Sequence, residues 1–418
     1  MSDAPFVVTI AGMNTGGWTS ATLRRARKEM TGTLTLECFY GSIPASPVLR
    51  NIMSGAEVQV MVAGNVAFTG TVDRRNGRGK KRGKGDASEN EGANDDATFQ
   101  RSVQISKDSY TITVTARGKC KRLVDSSHDH KQGMLKNVTV PEIFRALIQN
   151  FNVSLDDKSN STIKHERAVF RDGGLVHNEL RRWGTEANLN IFETREGKLA
   201  LTAPGQEQSG VDLILGQNIL EFSAEQSEDE GVSQVEVKGQ RTDPAIFGKD
   251  AIMRSVMANI PGVKGYAPLK VQLSGDATDE RMKTRAKVES RKRQEASKSI
   301  SIDVFNVQSQ NGEPWDIDVR HYVEIPPENI FDEFVVDELE YTVDADGKLK
   351  TTLTLVPVSN DGGSGGALGV GGGGGSGGGA PSRSDAQARG DARRAALGVT
   401  DDPNQYPDPW SMGGVTFT

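Results

Sequence analysis

"NVTVPEIFRALIQNF", residues 137–151, is where this chain changes character. Val140-Pro141 opens a helix, because proline at the first helical position costs no intrahelical hydrogen bond and presets its own φ. Ile143, Phe144, Leu147 and Ile148 then recur at the spacing of one helix face. A second helix fits "LVHNELRRWGTEAN", residues 175–188, with Leu175, Val176, Leu180 and Trp183 on one side. "LNIFETREGKLALT" follows as two strands turning at Glu196-Gly197. Helix, helix and hairpin make a compact α+β module over residues 126–205.

Upstream, the periodicity is that of strands. "PFVVTI", residues 5–10, and "TGTLTLECFY", residues 31–40, are β-branched and partly alternating. Between them "TSATLRRARKEM" reads as a basic helical turn or loop. "EVQVMVAGNVAFTGTVD", residues 57–73, is a hairpin around Gly64-Asn65, two residues that tolerate positive φ. Residues 74–98 are basic and then acidic with almost nothing to bury, which predicts an inserted charged loop. "SYTITVTARG", residues 109–118, resumes the sheet. Residues 1–125 therefore read as a small antiparallel barrel or sandwich.

Downstream, strands return at 219–223 and 232–240, followed by a polar, solvated helix near 274–298 whose acids and bases are interleaved. "HYVEIPP" and "DEFVVDELEYTVDADGKLKTTLTLVPV" complete a second strand-rich domain, 206–359, with its last turn at Asp346-Gly347. Residues 360–382 are a Gly-rich linker by composition. Residues 383–418 carry Tyr406, Trp410 and Phe417, which suits a tethered docking peptide held at high effective concentration. A plain disordered tail is the alternative reading.

Composition limits the function classes. The chain has 418 residues and a net charge of −6, which argues against a general nucleic-acid binder. Its two cysteines, Cys38 and Cys120, cannot build a disulfide framework or a four-thiolate zinc site. Neither a signal peptide nor an 18-residue apolar run is legible, so the expectation is a soluble chain made in a reducing cytoplasm.

Only "RLVDSSHDH", residues 122–130, looks capable of chemistry, with Asp125, His128, Asp129 and His130 beside Cys120. Histidines at i and i+2 share one face of a strand, but His165, His177 and His321 form no ligand pair with them, and HExxH and CxxC are absent. "GRGKKRGKG" lacks the ending of a phosphate loop, and GxSxG occurs only in the linker. No carboxylate pair sits in an apolar setting that would raise a pKa. No catalytic, cofactor or metal residue is predicted. Arg24, Arg25, Arg27 and Lys28 could touch DNA or an acidic partner; in an acidic protein they read as interface or solvated positions.

In order, "VTARGKCKRLVDSSHDH", "TVPEIFRALIQNF", "LRRWGTEANLNIFETREGKLALT", "NILEFSAEQSEDEGVSQVEVKGQ" and "GEPWDIDVRHYVEI" with "FVVDELEYTVDADGKLKTTLTLV" resemble segments of the Mu-type phage baseplate hub family. The resemblance spans about residues 5–358 and excludes the 74–98 loop and the tail. It implies a mainly β fold with an α+β module, and two similar antiparallel β-barrel domains per chain forming a pseudo-hexameric ring in a homotrimer. It further implies a non-enzymatic adaptor between a six-fold tail tube and a three-fold central spike. The implied partners are the spike, the tube or tube-initiator protein, and a tape-measure or baseplate wedge protein. DNA would pass through the lumen without specific binding, no membrane would be entered, and the chain would sit in the virion baseplate after assembly in the host cytoplasm. Asp125, Ser126 and Ser127 would then cap and turn the chain. The related hub of a type VI-like or extracellular contractile injection system is the alternative, and a tail-associated cell-wall hydrolase a remoter one.

Overall fold

The computed structural model describes residues 6–15, 18–40, 52–80, 109–128, 133–171, 173–227, 231–240, 254–259, 265–276, 278–308, 312–358 and Ala392. The chain divides into two compact units, residues 1–203 with 306–315 and 338–352, and residues 204–305 with 316–337 and 353–418.

The first unit begins with strands β1 (Phe6–Ile10), β2 (Met13–Thr15), β3 (Ser20–Ala26), β4 (Thr33–Tyr40), β5 (Glu57–Val62), β6 (Asn65–Lys80) and β7 (Ser109–Gly118). Their order in the sheet is β2-β1-β5-β6-β7-β4-β3, every pairing antiparallel. Residues 338–343 pair with the outer side of β3, from Glu338 opposite Ala26 to Val343 opposite Ala21. Alternation accounts for the core: Val58, Val60 and Val62 on β5, Leu34, Leu36 and Cys38 on β4, and Ile112, Val114 and Ala116 on β7 are all buried.

Three expectations change here. "SATLRRA" is strand β3 rather than a helical turn or loop, because Ala21, Leu23 and Arg25 alternate into the core. The hairpin turns at Ala63-Gly64, with φ of 46° and 83°, one residue before the expected Gly64-Asn65; Asn65 already pairs with Val62. Residues 74–80 are not loop. They continue β6 past a bulge between Val72 and Arg74 and pair with β7 as far as Lys80 opposite Ser109. Residues 74–80 contribute no apolar side chain themselves, and their pairing with β7 holds them. The rest of the predicted loop, 81–98, lies outside the described residues.

A short helix, Lys121–Asp125, leads into β8 (Met134–Thr139), the helix Val140–Ile148, β9 (Leu155–Asp157), β10 (Lys164–Val169), the helix Val176–Glu186, β11 (Asn190–Glu193) and β12 (Leu199–Thr202). Thr139 and Glu142 form a capping box ahead of the helix 140–148, with the Thr139 amide donating to Glu142 Oε2 at 2.7 Å. Ile143, Phe144, Leu147 and Ile148 are buried as the spacing predicted, packed with Leu180 and Trp183 of the next helix. Leu175 departs from the prediction: it precedes that helix as its N-cap residue and is 36% exposed. β11 and β12 pair antiparallel, and Gly197 turns between them at φ 82°.

The second unit holds β13 (Glu207–Gln208), β14 (Leu213–Ile214), β15 (Ile219–Gln226), β16 (Gln234–Gln240), β17 (Arg254–Asn259), β18 (Pro268–Asp276), β19 (Lys298–Val304) and β20 (Val319–Ile325). It shares with the first unit the strands β21 (Ile330–Val343) and β22 (Leu349–Pro357). β15-β19-β22-β21 run side by side, β20 pairs with β21, and β13 and β14 lie parallel to β20. A separate sheet, β17-β16-β18, packs Val235 and Val237 against Met282 and Ala286 of the helix Asp279–Ser297. That helix starts later than expected, since 268–276 is strand, and it is not simply solvated. Glu289, Arg291 and Glu295 are buried along with Met282, Ala286 and Val288.

Candidate functional site: the charged junction of the first unit

Two polar networks join the first sheet to the α+β module. The deeper one centres on Glu193, 4% exposed at the end of β11. Its Oε1 accepts from the Cys120 amide at 2.8 Å and its Oε2 from the Gly32 amide at 3.1 Å, while Arg25 Nη2 donates to its main-chain oxygen at 2.8 Å. One side chain thus binds the β3–β4 turn, the start of the short helix and, through its carbonyl, strand β3. Burial pushes the Glu193 carboxyl above its ordinary range, against the pull of the two amides and of Arg25. Burial, and then the Glu193 charge, also raises the Cys120 thiol, so Cys120 is not a reactive thiolate. Gly118 makes the approach possible: a Cβ there would fall 1.6 Å from Glu193 Oε2.

The shallower network lies where β7 ends. Arg117 donates through Nε and Nη2 to Asp73 at 3.1 and 3.2 Å and through Nη1 to Asp125 at 3.1 Å, and Lys121 adds a contact to Asp73 at 3.3 Å. The Arg117 hydrogen bond draws the Asp125 carboxyl below its ordinary range. For Asp73 the hydrogen bonds from Arg117 and Lys121 outweigh an opposing burial effect, with the same downward result.

These contacts revise the reading of "RLVDSSHDH". Asp125 closes an ion pair instead of capping backbone, Ser127 Oγ donates to the Gly173 carbonyl at 3.2 Å, and the Ser126 amide donates to the Arg122 carbonyl at 3.1 Å. A His128 ring nitrogen meets the Arg171 carbonyl at 2.6 Å, and the ring stacks at a tilt on Phe170. His177 contacts the Val124 carbonyl, His165 lies edge-on to Trp183, and His321, in the other unit, contacts the Val211 carbonyl and is lowered by burial. Asp129 and His130 lie outside the described residues. Among the described residues, no three His, Cys, Asp or Glu side chains gather as a metal site.

The N-terminal basic cluster is engaged within the chain. Arg24 forms a fork with Glu338, its Nη2 2.7 Å from Oε2, and also reaches Glu29 at 2.6 Å. Arg25 and Arg27 are buried, and the Lys28 carbonyl accepts from Arg181. Arg24, Arg25 and Arg27 are thus joints of the fold, while Lys28 is exposed. Tyr406, Trp410 and Phe417 lie outside the described residues. Reasoning from sequence missed Glu193 altogether, since an acidic residue ending a short strand carries no signal; the small residue at Gly118 was the one trace of a close approach.

Such a junction locks segments together. Comparison with known proteins supplies the context. Residues 120–203, which hold Cys120, Asp125 and Glu193 of the junction, match the family model described as "Baseplate hub protein gp44-like, second domain". The chain is similar to a Mu-type baseplate hub. It is 22% identical over 356 residues to the baseplate hub protein gp44 of Escherichia phage Mu, covering 82% of this chain and 84% of that hub. Among solved structures the hub-like fold recurs in the 43 kDa tail protein of prophage MuSo2 from Shewanella oneidensis, with a TM-score of 0.68 and 20% identity over 84% of this chain and 98% of that one. It recurs in a tail protein from Neisseria meningitidis MC58, with a TM-score of 0.63 and 16% identity over 84% and 96% of the two chains. The E. coli c3393 protein, a type VI secretion component, matches at a TM-score of 0.52 and 9% identity over 84% and 77%. At these identities the structural matches establish shared fold. No described helix of the hub-like chain is long and apolar enough to cross a membrane.

Proposed function

We propose that this chain is the structural, non-enzymatic hub of a contractile-tail baseplate, a homotrimer whose chains each contribute two β-barrel domains to a pseudo-six-fold ring. The observation that carries the reading is the similarity to the Mu hub gp44 across most of both chains. The mainly β architecture around the gp44-like second domain supports it. In this reading residues 1–125 and 206–359 supply the barrels and 126–205 the module between them. The ring adapts a six-fold tube to a three-fold spike, and DNA passes through its lumen without specific contacts. Closed symmetry also buries strand edges that would otherwise aggregate. The Gly-rich linker would tether Tyr406, Trp410 and Phe417 for docking onto the spike, tube-initiator or tape-measure protein. The chain would then reside in the virion baseplate after assembly in the host cytoplasm. The injection-system hub ranks second because its structural likeness is the lower one.

Light scattering on the purified full chain, with three-fold averaged images, tests the proposal. A mass of three chains and a ring with a central hole is expected, whereas a compact monomer with and without added tube or spike protein overturns it. A clearing band on a peptidoglycan zymogram would overturn the non-enzymatic assignment.

A further inference from the structure

Among the described residues, two strand edges, one in each unit, stand open and carry opposite charge at the same spacing. In the first unit β5 ends its pairing with β6 at Glu57 opposite Thr71, so residues 74–80 of β6 are bonded to β7 on one side and, among the described residues, to no strand on the other. Arg74 and Arg78 are exposed and stand opposite Thr115 and Thr111, on the face away from the buried Val114 and Ile112. In the second unit β15 pairs with β19 alone over residues 221–226, again among the described residues. Its Glu221 and Glu225 are exposed and stand opposite Asp303 and Ser299, on the face away from the buried Ile302 and Ile300.

Resting on the homotrimeric reading above, we infer that the β6 edge Arg74–Arg78 of one copy adds antiparallel to the β15 edge Glu221–Glu225 of a second copy. One register matches both arginines to both glutamates. Arg78 meets Glu221 and Arg74 meets Glu225 on the outer face, with Asn76 opposite Ser223 between them. On the inner face Gly77 lies opposite Phe222, which is only half-buried within its own chain, and the bare glycine leaves room for the ring. Slipping by one residue would set Arg74 and Arg78 against Ala224 and Leu220, or against Gln226 and Phe222, on mismatched faces. The contact uses two different patches, so it is head-to-tail and can close a ring. It also covers both open edges, which a monomer would expose to uncontrolled pairing.

The test uses the full chain and sedimentation at several salt concentrations. Arg74→Glu with Arg78→Glu, and separately Glu221→Arg with Glu225→Arg, should each weaken association at least about tenfold. The quadruple variant, with the charges exchanged, should restore it. Circular dichroism and thermal unfolding confirm that the variants fold. Chains carrying Asn76→Cys mixed with chains carrying Ser223→Cys should form a disulfide heterodimer under mild oxidation. A trimer that survives both reversals, or a folded quadruple variant that stays dissociated, overturns the edge contact and leaves the hub reading standing. A wild-type chain that is monomeric throughout overturns both.

Discussion

The helix Val140–Ile148 and the helix Asp279–Ser297 solve the same problem, covering a sheet, by different means. The first buries Ile143, Phe144, Leu147 and Ile148 in a large cluster shared with Leu180, Trp183, Leu199 and Leu201. Among the described residues, the second brings Met282 and Ala286 to a cluster with Val235 and Val237, flanked by Leu269 and Val271, and carries buried charge beside them. Arg285 reaches Glu289 at 2.8 Å, and Arg291 lies 3.7 Å from Glu295. Apolar burial scales with area, whereas the net worth of an ion pair is what remains after desolvation. The first helix should therefore be a rigid anchor, and the second a cover that opens at lower cost.

The largest expected effect lies in the first cluster. Phe144→Ala removes a fully buried ring and should cost about 3–5 kcal/mol in denaturant unfolding. Met282→Ala should cost about 2 kcal/mol, near the lower end for a buried methionine, because the small cluster can collapse around the gap. Equal costs would break the comparison.

Arg117→Met probes the junction through pH. Arg117 holds Asp73 and Asp125 below their unfolded value of 3.8, so the native state binds fewer protons than the unfolded one. The associated stability is present above that value and is lost as pH falls through the lowered native values. Wild type should therefore destabilise more steeply than Arg117→Met when unfolding is followed from pH 5 down to about pH 2.5. Parallel curves would mean that the network contributes nothing.

The smallest effect is expected for Arg285→Ala, which removes the partly exposed arginine of an i,i+4 pair while Lys292 stays 3.8 Å from Glu289, and should cost about 0.5 kcal/mol. A cost above that of Met282→Ala would show charge pairing, and not the apolar contact, to be what seats this helix.

The first of these helices was legible from its sequence and the second only in outline. In "TVPEIFRALI" the cap, the proline and the apolar stripe agree, so local chemistry and burial point one way. In "DERMKTRAKVESRKRQEAS" the alternation of acids and bases announces a helix, but its buried face includes Glu289, Arg291 and Glu295, which composition assigns to solvent. The same limit hid β3, where Arg25 occupies a core position between Leu23 and the Glu193 carbonyl. The candidate site was less legible than the fold. Asp125 was noticed for its neighbours in sequence, while its partner Arg117 and the Asp73 that shares that arginine come from two strands.

What the sequence determined by itself is local: the turn at Gly197, the helix start at Val140-Pro141, the stripe from Ile143 to Ile148, and the order of elements that resembles a baseplate hub. Tertiary structure alone decided which charges are interior, where Glu193 ties Gly32 to Cys120 across 161 and 73 positions of chain, and which strand edges stay open. The reason is physical. Periodicity reports the burial of apolar groups, which need no particular partner, whereas a buried ion or an edge amide is stable only against a specific group that distant chain must deliver.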